Sequence, residues 1–366
     1  MILIYSDSQI LDLEWLPFLT FSDTHRVVTN FVEYCSTPAD RKLAFTTHRL
    51  HCDHDANCMA YKNFEDKIVQ LSEVSDLVFS FESELHHYHW TIWNQCHRPN
   101  VYWCLPGAVN DRDDINSHII YWGDWFKTTT NLYRALPDVL AQLEPYAVKP
   151  RMFDALLGAY KPHRTFVYNA VAQHGLADQF IMTYGGRWKD TEFYAQDYFI
   201  WEPGCEPEGA VIGTADHVRY HGRRCHLSQV IPTAVYNDTA YSIVAETDHD
   251  NTLSFYSEKT AKALIARRLF VAFSGYRFLQ NLRNLGFQTF DGIIDESYDQ
   301  IKNDQERYAA AFAQVQDLCQ RPQQDILEKI QPIVEHNHQR IMQTDWNQFA
   351  RQQIQDRITV TLASCR

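Results

Sequence analysis

The chain has 366 residues, 45% of them hydrophobic and 14% aromatic, and carries 33 Lys and Arg against 46 Asp and Glu for a formal net charge of −13. That apolar content excludes an intrinsically disordered chain, and at about 150 residues per domain the length predicts two domains. So acidic a surface disfavours nucleic acid and anionic membranes as partners unless basic residues gather in one place.

The opening MILIYSDSQ has no basic start, so it does not read as a signal peptide, and no run of about 18 apolar residues follows. The nine cysteines are scattered without a Cys-x-x-Cys pair, which predicts reduced thiols rather than a disulfide framework or a zinc ribbon. A cytoplasmic chain with no membrane partner is expected.

Met1 to Tyr5 reads as a strand ending at Ser6-Asp7, with Asp7 either at a strand's carboxyl end or in a turn. His48 to Cys58, HRLHCDHDANC, is rich in potential metal ligands but lacks zinc spacing, and a solvated loop explains it as well. Asp76 to Phe81 reads as a buried strand, followed by Glu82 and Glu84 and then by a second strand, Val101 to Leu105. That order predicts a parallel β-α-β unit with both carboxylates at a strand's carboxyl end. There one of them suits a general base; otherwise they are helix-start acids complementing the dipole. The aromatic set Tyr121, Trp122, Trp125, Phe126 and Tyr133 predicts packing, and Leu143 to Pro150 reads as a linker.

Beyond it, Met152 to Ala159 predicts a strand, Arg164 to His174 a helix and Phe180 to Tyr184 a second strand. Lys161 and Arg164 then stand at a helix amino end, where positive charge opposes the dipole unless an anion is bound. The alternative is an exposed Arg164 paired with Asp154 or Asp178. Arg219, Arg223 and Arg224 form a basic turn that would suit phosphate or simply a surface loop.

Tyr241 to Phe290 carries the densest pattern. A strand from Tyr241 to Ala245 ends on Glu246, Ser257 offers an N-cap for a helix from Glu258 to Ala266, and a strand from Leu269 to Phe273 leads to a helix from Tyr276 to Leu285. Chemistry in such units collects at strand carboxyl ends and helix amino ends. Ser257, Lys259 and Lys262 would suit a phosphate, and Glu258 two sugar hydroxyls, unless Glu258 only caps its helix and pairs with Lys262. A polar helix is expected from Asp299 to Leu318 and another helical region through Gln355.

The triplets Ala245-Glu246-Thr247 and Ser257-Glu258-Lys259, with the strand to Ser274-Gly275, resemble the donor half of GT-B glycosyltransferases, closest to the fucosyltransferase-like type. The tail from Gly286 to Asp299, ending DESYD, is similar to viral and bacterial chains of that kind. The resemblance covers about half the chain; Thr247 stands where an Asn is usual, and Ser274-Gly275 where the turn bears proline. It implies an α/β fold of two Rossmann-like domains facing a cleft, with C-terminal helices. Residues 1–145 would be the acceptor side, 146–320 the nucleotide-sugar donor domain, and 321–366 helices packing back on the first domain. It also implies pyrophosphate contact by Arg164 and a sugar or base contact by Glu246.

The expected function is transfer of a sugar from a nucleotide sugar to a hydroxyl of a glycan, protein or small acceptor. Lys161, Arg164, Ser257, Lys259 and Lys262 would steady the diphosphate without a metal or other cofactor, and Glu82 or Glu84 would take the proton. Two alternatives stand: a glycosyltransferase acting on hydroxylated bases of phage DNA, and a non-catalytic nucleotide- or glycan-binding module. The first needs Arg187 and Arg219 to Arg224 in one groove; the second has no need of Arg164, Glu258 and Lys259.

Overall fold

The computed structural model describes residues 1–6, 24–48, 59–82, 98–112, 117–158, 160–184, 202–207, 217–249 and 251–363. The chain gathers into two compact units, Met1–Asp124 with Asp345–Arg366, and Trp125–Thr344. Each is α/β and is built on a parallel sheet of its own.

The strands of the first unit are β1 (Ile2–Ser6), β2 (His25–Val28), β3 (Arg41–His48), β4 (Leu77–Glu82), β5 (Val101–Leu105), the short β6 (Gly107–Val109) and β7 (Ile119–Tyr121). Six of them pair in the order 2-1-3-4-5-7, every pair parallel. All five residues of β1 are buried, and its first four, ILIY, are correspondingly a continuous apolar run with no alternation, as a sheet covered on both faces requires. The C-terminal helix Trp346–Ala363 joins this unit's core. Its Ala350, Ile354 and Ile358, spaced four apart on one side, pack with Ile2, Ile4, Leu43, Phe45 and Phe79. The Trp346 ring meets Tyr121 edge-on at 5.9 Å.

Expected strands at 1–5, 76–81 and 101–105 all form, and Glu82 is the last residue of β4. Asp7, Glu84 and the ligand-rich run at 49–58 lie outside the described residues.

The strands of the second unit are β8 (Arg151–Leu157), β9 (Phe180–Tyr184), β10 (Cys205–Pro207), β11 (His217–Tyr220), β12 (Arg223–His226), β13 (Thr239–Ala245), β14 (Leu253–Phe255) and β15 (Phe270–Phe273). Four make a parallel sheet in the order 15-13-8-9, and β10 to β12 make an antiparallel one. Helices Pro162–Gln173, Glu258–Ile265, Phe278–Asn284, Asp304–Gln320 and Gln323–Gln343 surround the parallel sheet. No helix among the described residues is long and apolar enough to cross a membrane.

The division between these units falls at 124/125 and 344/345, whereas the sequence suggests boundaries at 145/146 and 320/321. Leu143 to Pro150 is tied into the second unit: the Glu144 amide donates to the Asn237 side chain at 3.0 Å, and the Lys149 amide to the Gln323 side chain at 2.7 Å. Its prolines mark a turn, and those tethers make it part of one body.

Beneath the sheet, Arg268 donates to Asp154 of β8 (2.9 Å) and to Ser242 of β13 (2.6 Å). It also reaches the carbonyls of Tyr236, Thr239 and Tyr241 at 2.8–3.0 Å. Both charges are buried. Burial raises the Asp154 pKa, with Arg268 and Ser242 pulling the other way. This arginine, two residues before β15, ties β8 and β13 to the end of the helix Thr233–Asp238 and satisfies backbone carbonyls there.

Candidate functional site

The order 15-13-8-9 makes the connections from β8 and β13 diverge: the chain leaves β8 for β9 on one side and β13 for β15 on the other. The carboxyl ends of two such strands flank a crevice, the usual ligand position in an open α/β sheet. In this unit it is bordered by Gly158 and by Tyr160 to Arg164 after β8 and by Glu246 to His249 after β13.

Three helices of the unit follow that edge, and their starts are built differently. The Glu258 helix begins at Ser257, whose hydroxyl accepts from the Lys259 amide at 3.2 Å. Glu246, fully buried, turns its carboxylate onto the same first turn. It accepts from the Ser257 amide (3.1 Å), the Ser257 and Thr260 hydroxyls and its neighbour's amide at Thr247 (3.0 Å). The Phe278 helix is capped likewise by the buried Asp299, which accepts from the amides of Leu279 (2.8 Å) and Gln280 (3.0 Å). Two helix starts are thus filled by the protein's own carboxylates.

The Pro162 helix has neither device. Lys161 is its N-cap and contributes no side-chain cap, Pro162 stands in the first turn, and no acid occupies that turn. Basic groups collect there instead. Arg164, buried, donates through Nη2 to the carbonyls of Glu246 (3.0 Å) and Ala245 (3.4 Å). The Lys161 ammonium donates to the Thr247 carbonyl, and the Lys259 ammonium, arriving from the Glu258 helix, donates to the Thr247 hydroxyl at 3.1 Å. Three cations from two helix starts therefore converge on the tripeptide that ends β13. The alternative, an exposed Arg164 paired with Asp154 or Asp178, does not fit its burial, and Asp154 is held by Arg268.

Glu258 and Lys262 complete the charge layout. Glu258 is buried and ion-paired to Lys259 at 2.6 Å. Burial disfavours its ionised form, but Lys259 and Lys262 outweigh that and hold its carboxyl below the usual range. Burial draws Lys262 down to about 8 despite the Glu258 charge, and its ammonium lies 3.4 Å from the Val230 carbonyl. Of the residues singled out in sequence, Lys161, Arg164, Glu246, Ser257, Glu258 and Lys259 form one continuous cluster, with Lys262 one helical turn further on. Glu82 belongs to the other unit, at the end of β4, and Glu84 lies outside the described residues.

His163 was not singled out by sequence. It is fully buried between Lys161 and Arg164, donates through Nε2 to the Glu246 carbonyl at 2.9 Å and stacks on His249 at 4.8 Å. Burial, with Arg164 and His249 beside it, holds it well below the usual imidazole range, so it is neutral and Nδ1 is an acceptor. The signal that could have found it is Pro162: a proline in the first turn places the helix start two residues before Arg164 and brings His163 inside. Among the described residues, no group of three or more His, Cys, Asp or Glu is placed to hold a metal ion. No family model, no curated protein and no solved structure matches this chain.

Proposed function

We propose that the second unit binds the diphosphate of a nucleotide sugar at the start of the Pro162 helix, and that the chain is a glycosyltransferase of the GT-B type. The observation that supports this is the meeting of Lys161, Arg164 and Lys259 at the carboxyl end of β13, beside the one helix start of the three that has no carboxylate cap. Helix amides and converging cations are what a diphosphate leaving group needs as its charge grows. Each of the three donates to a carbonyl or hydroxyl oxygen of residues 245–247, and incoming phosphate oxygens would be stronger acceptors.

In this reading Glu246 shapes the site by fixing the neighbouring helix rather than by touching sugar. The Lys259 ammonium is shared between Glu258 and the anion. The acceptor's proton goes to Glu82 or Glu84, so Glu82→Gln or Glu84→Gln should keep nucleotide binding and lose transfer.

The deciding experiment is a thermal-shift series with GDP, UDP, CMP and dTDP, with and without a divalent metal, on the wild type and on Lys161→Ala and Lys259→Ala. One nucleotide at about 100 times its Kd should stabilise the wild type by about 3 kcal/mol, independent of metal, and both variants should lose the response. No stabilisation by any of the four would remove this reading.

A further inference from the structure

A groove of about 820 Å³ runs between the Pro162 and Asp304 helices, a volume typical of small-molecule sites. The nucleotide reading uses only its end at Lys161 and Pro162. Its chemistry differs from that of the rest of a chain whose formal net charge is −13. Lys161, at one end, is the sole formally charged residue of the lining, and the carboxamides of Asn169, Gln173, Gln305 and Gln316 supply most of the other polar groups. A carboxamide both donates and accepts, which matches a hydroxyl on either role, and sheds water at less cost than a carboxylate.

The groove also has a flat apolar face ready to receive a ring. Tyr160 is 54% exposed, yet its ring rests edge-on against Tyr184 at 4.9 Å. Tyr184 is in turn stacked on Tyr168 at 4.2 Å and shares a hydrogen bond with the Thr165 hydroxyl at 2.8 Å. The platform is therefore positioned before anything binds, which lowers the entropy lost on binding. At the far end, Gln316 donates to Nδ1 of His174 at 3.0 Å, which fixes one amide.

We propose that this groove binds an uncharged saccharide. Pyranose rings offer apolar C–H faces to an aromatic platform and hydroxyls to amides, and they bring no charge that would call for counter-charges the lining lacks. The proposal does not depend on the nucleotide reading, because the probes contain no phosphate.

The test is titration of the wild type with maltotriose, cellotriose, chitotriose and mannotriose by calorimetry and saturation-transfer NMR. It is repeated on Tyr160→Ala and on the double variant Asn169→Ala/Gln173→Ala, whose two positions are exposed. At least one trisaccharide should bind with a Kd of about 1 mM or tighter, weakened about tenfold in both variants. The nucleotide response of the double variant should match wild type, which separates failure here from failure of the diphosphate site. Absence of binding by all four sugars at roughly 20 mM, or binding unchanged in both variants, would overturn the proposal.

Discussion

The carboxylate of Glu246 accepts the Ser257 amide at 3.1 Å, so the residue that follows one strand holds the N-cap of a helix eleven positions later. Its remaining acceptor sites take the hydroxyls of Ser257 and Thr260 and the Thr247 amide, with the side chain fully buried. Glu246→Gln keeps the shape but turns an amide group toward these donors, and Glu246→Ala abandons them. Losses of about 1–3 kcal/mol for the first and more for the second are expected in urea denaturation. Unchanged stability in both variants, with nucleotide response abolished, would instead make Glu246 a ligand contact.

The buried Arg268–Asp154 pair predicts a different pattern. Arg268→Met leaves a buried carboxylate and several carbonyls without their donor, and should cost about 3–5 kcal/mol. Adding Asp154→Asn removes the stranded charge, so the double variant should be more stable than Arg268→Met alone. A double variant with purely additive losses would show that the ion pair carries no coupling.

The order of elements was legible because apolar runs and caps are local signals. The strands at 180–184 and 101–105 appear where expected, and the helix expected from Glu258 begins there. The polar helix expected from Asp299 begins instead at Asp304, because Asp299 is spent capping the Phe278 helix from a 3-10 turn. The same reason explains the DESYD run. Glu296 accepts from Arg283 (2.9 Å), Thr289 (2.6 Å) and the Phe290 amide (2.6 Å), which makes it a tether for the preceding turn. Sequence showed acids at suggestive places, but which acid would be spent on a backbone amide depends on strand order, and strand order is a long-range property. The convergence of Lys161 and Lys259, 98 positions apart, on Thr247 has the same origin.

Lys262 makes a prediction about pH. Its pKa is near 8 in the folded chain against an ordinary 10.5, so between those values the unfolded chain binds more protons than the folded one. Stability from this group therefore rises with pH across that window, by up to about 3 kcal/mol, and the burden of a buried ammonium is greatest below it. Lys262→Met should lack this rise, so the wild-type-minus-variant stability should climb from pH 8 to about 10.5. Glu258 acts in the opposite range: its lowered pKa gives stability that is present above the ordinary carboxylate value and lost as pH falls through the folded one. Glu258→Gln should flatten that acid limb. A difference curve for Lys262→Met that stays level through the alkaline window would place the ammonium in water.

The cation cluster, finally, should betray itself through salt. Lys161 and Lys259 are only part-buried where they meet Thr247, so an anion bound there remains open to screening. The Debye length falls from about 10 Å at 0.1 M salt to about 3 Å at 1 M. Affinity for the responding nucleoside diphosphate, followed by calorimetry in NaCl, should drop across that range, and the nucleoside alone should show little such dependence. Lys161→Ala removes one charge without opening the core, so its unliganded melting temperature should stay close to wild type while diphosphate affinity falls about tenfold. The salt slope of the variant should also be shallower, because one fewer charge is being screened. Equal slopes for nucleotide and nucleoside would mean that the phosphates do not sit at the start of the Pro162 helix, whatever the affinity.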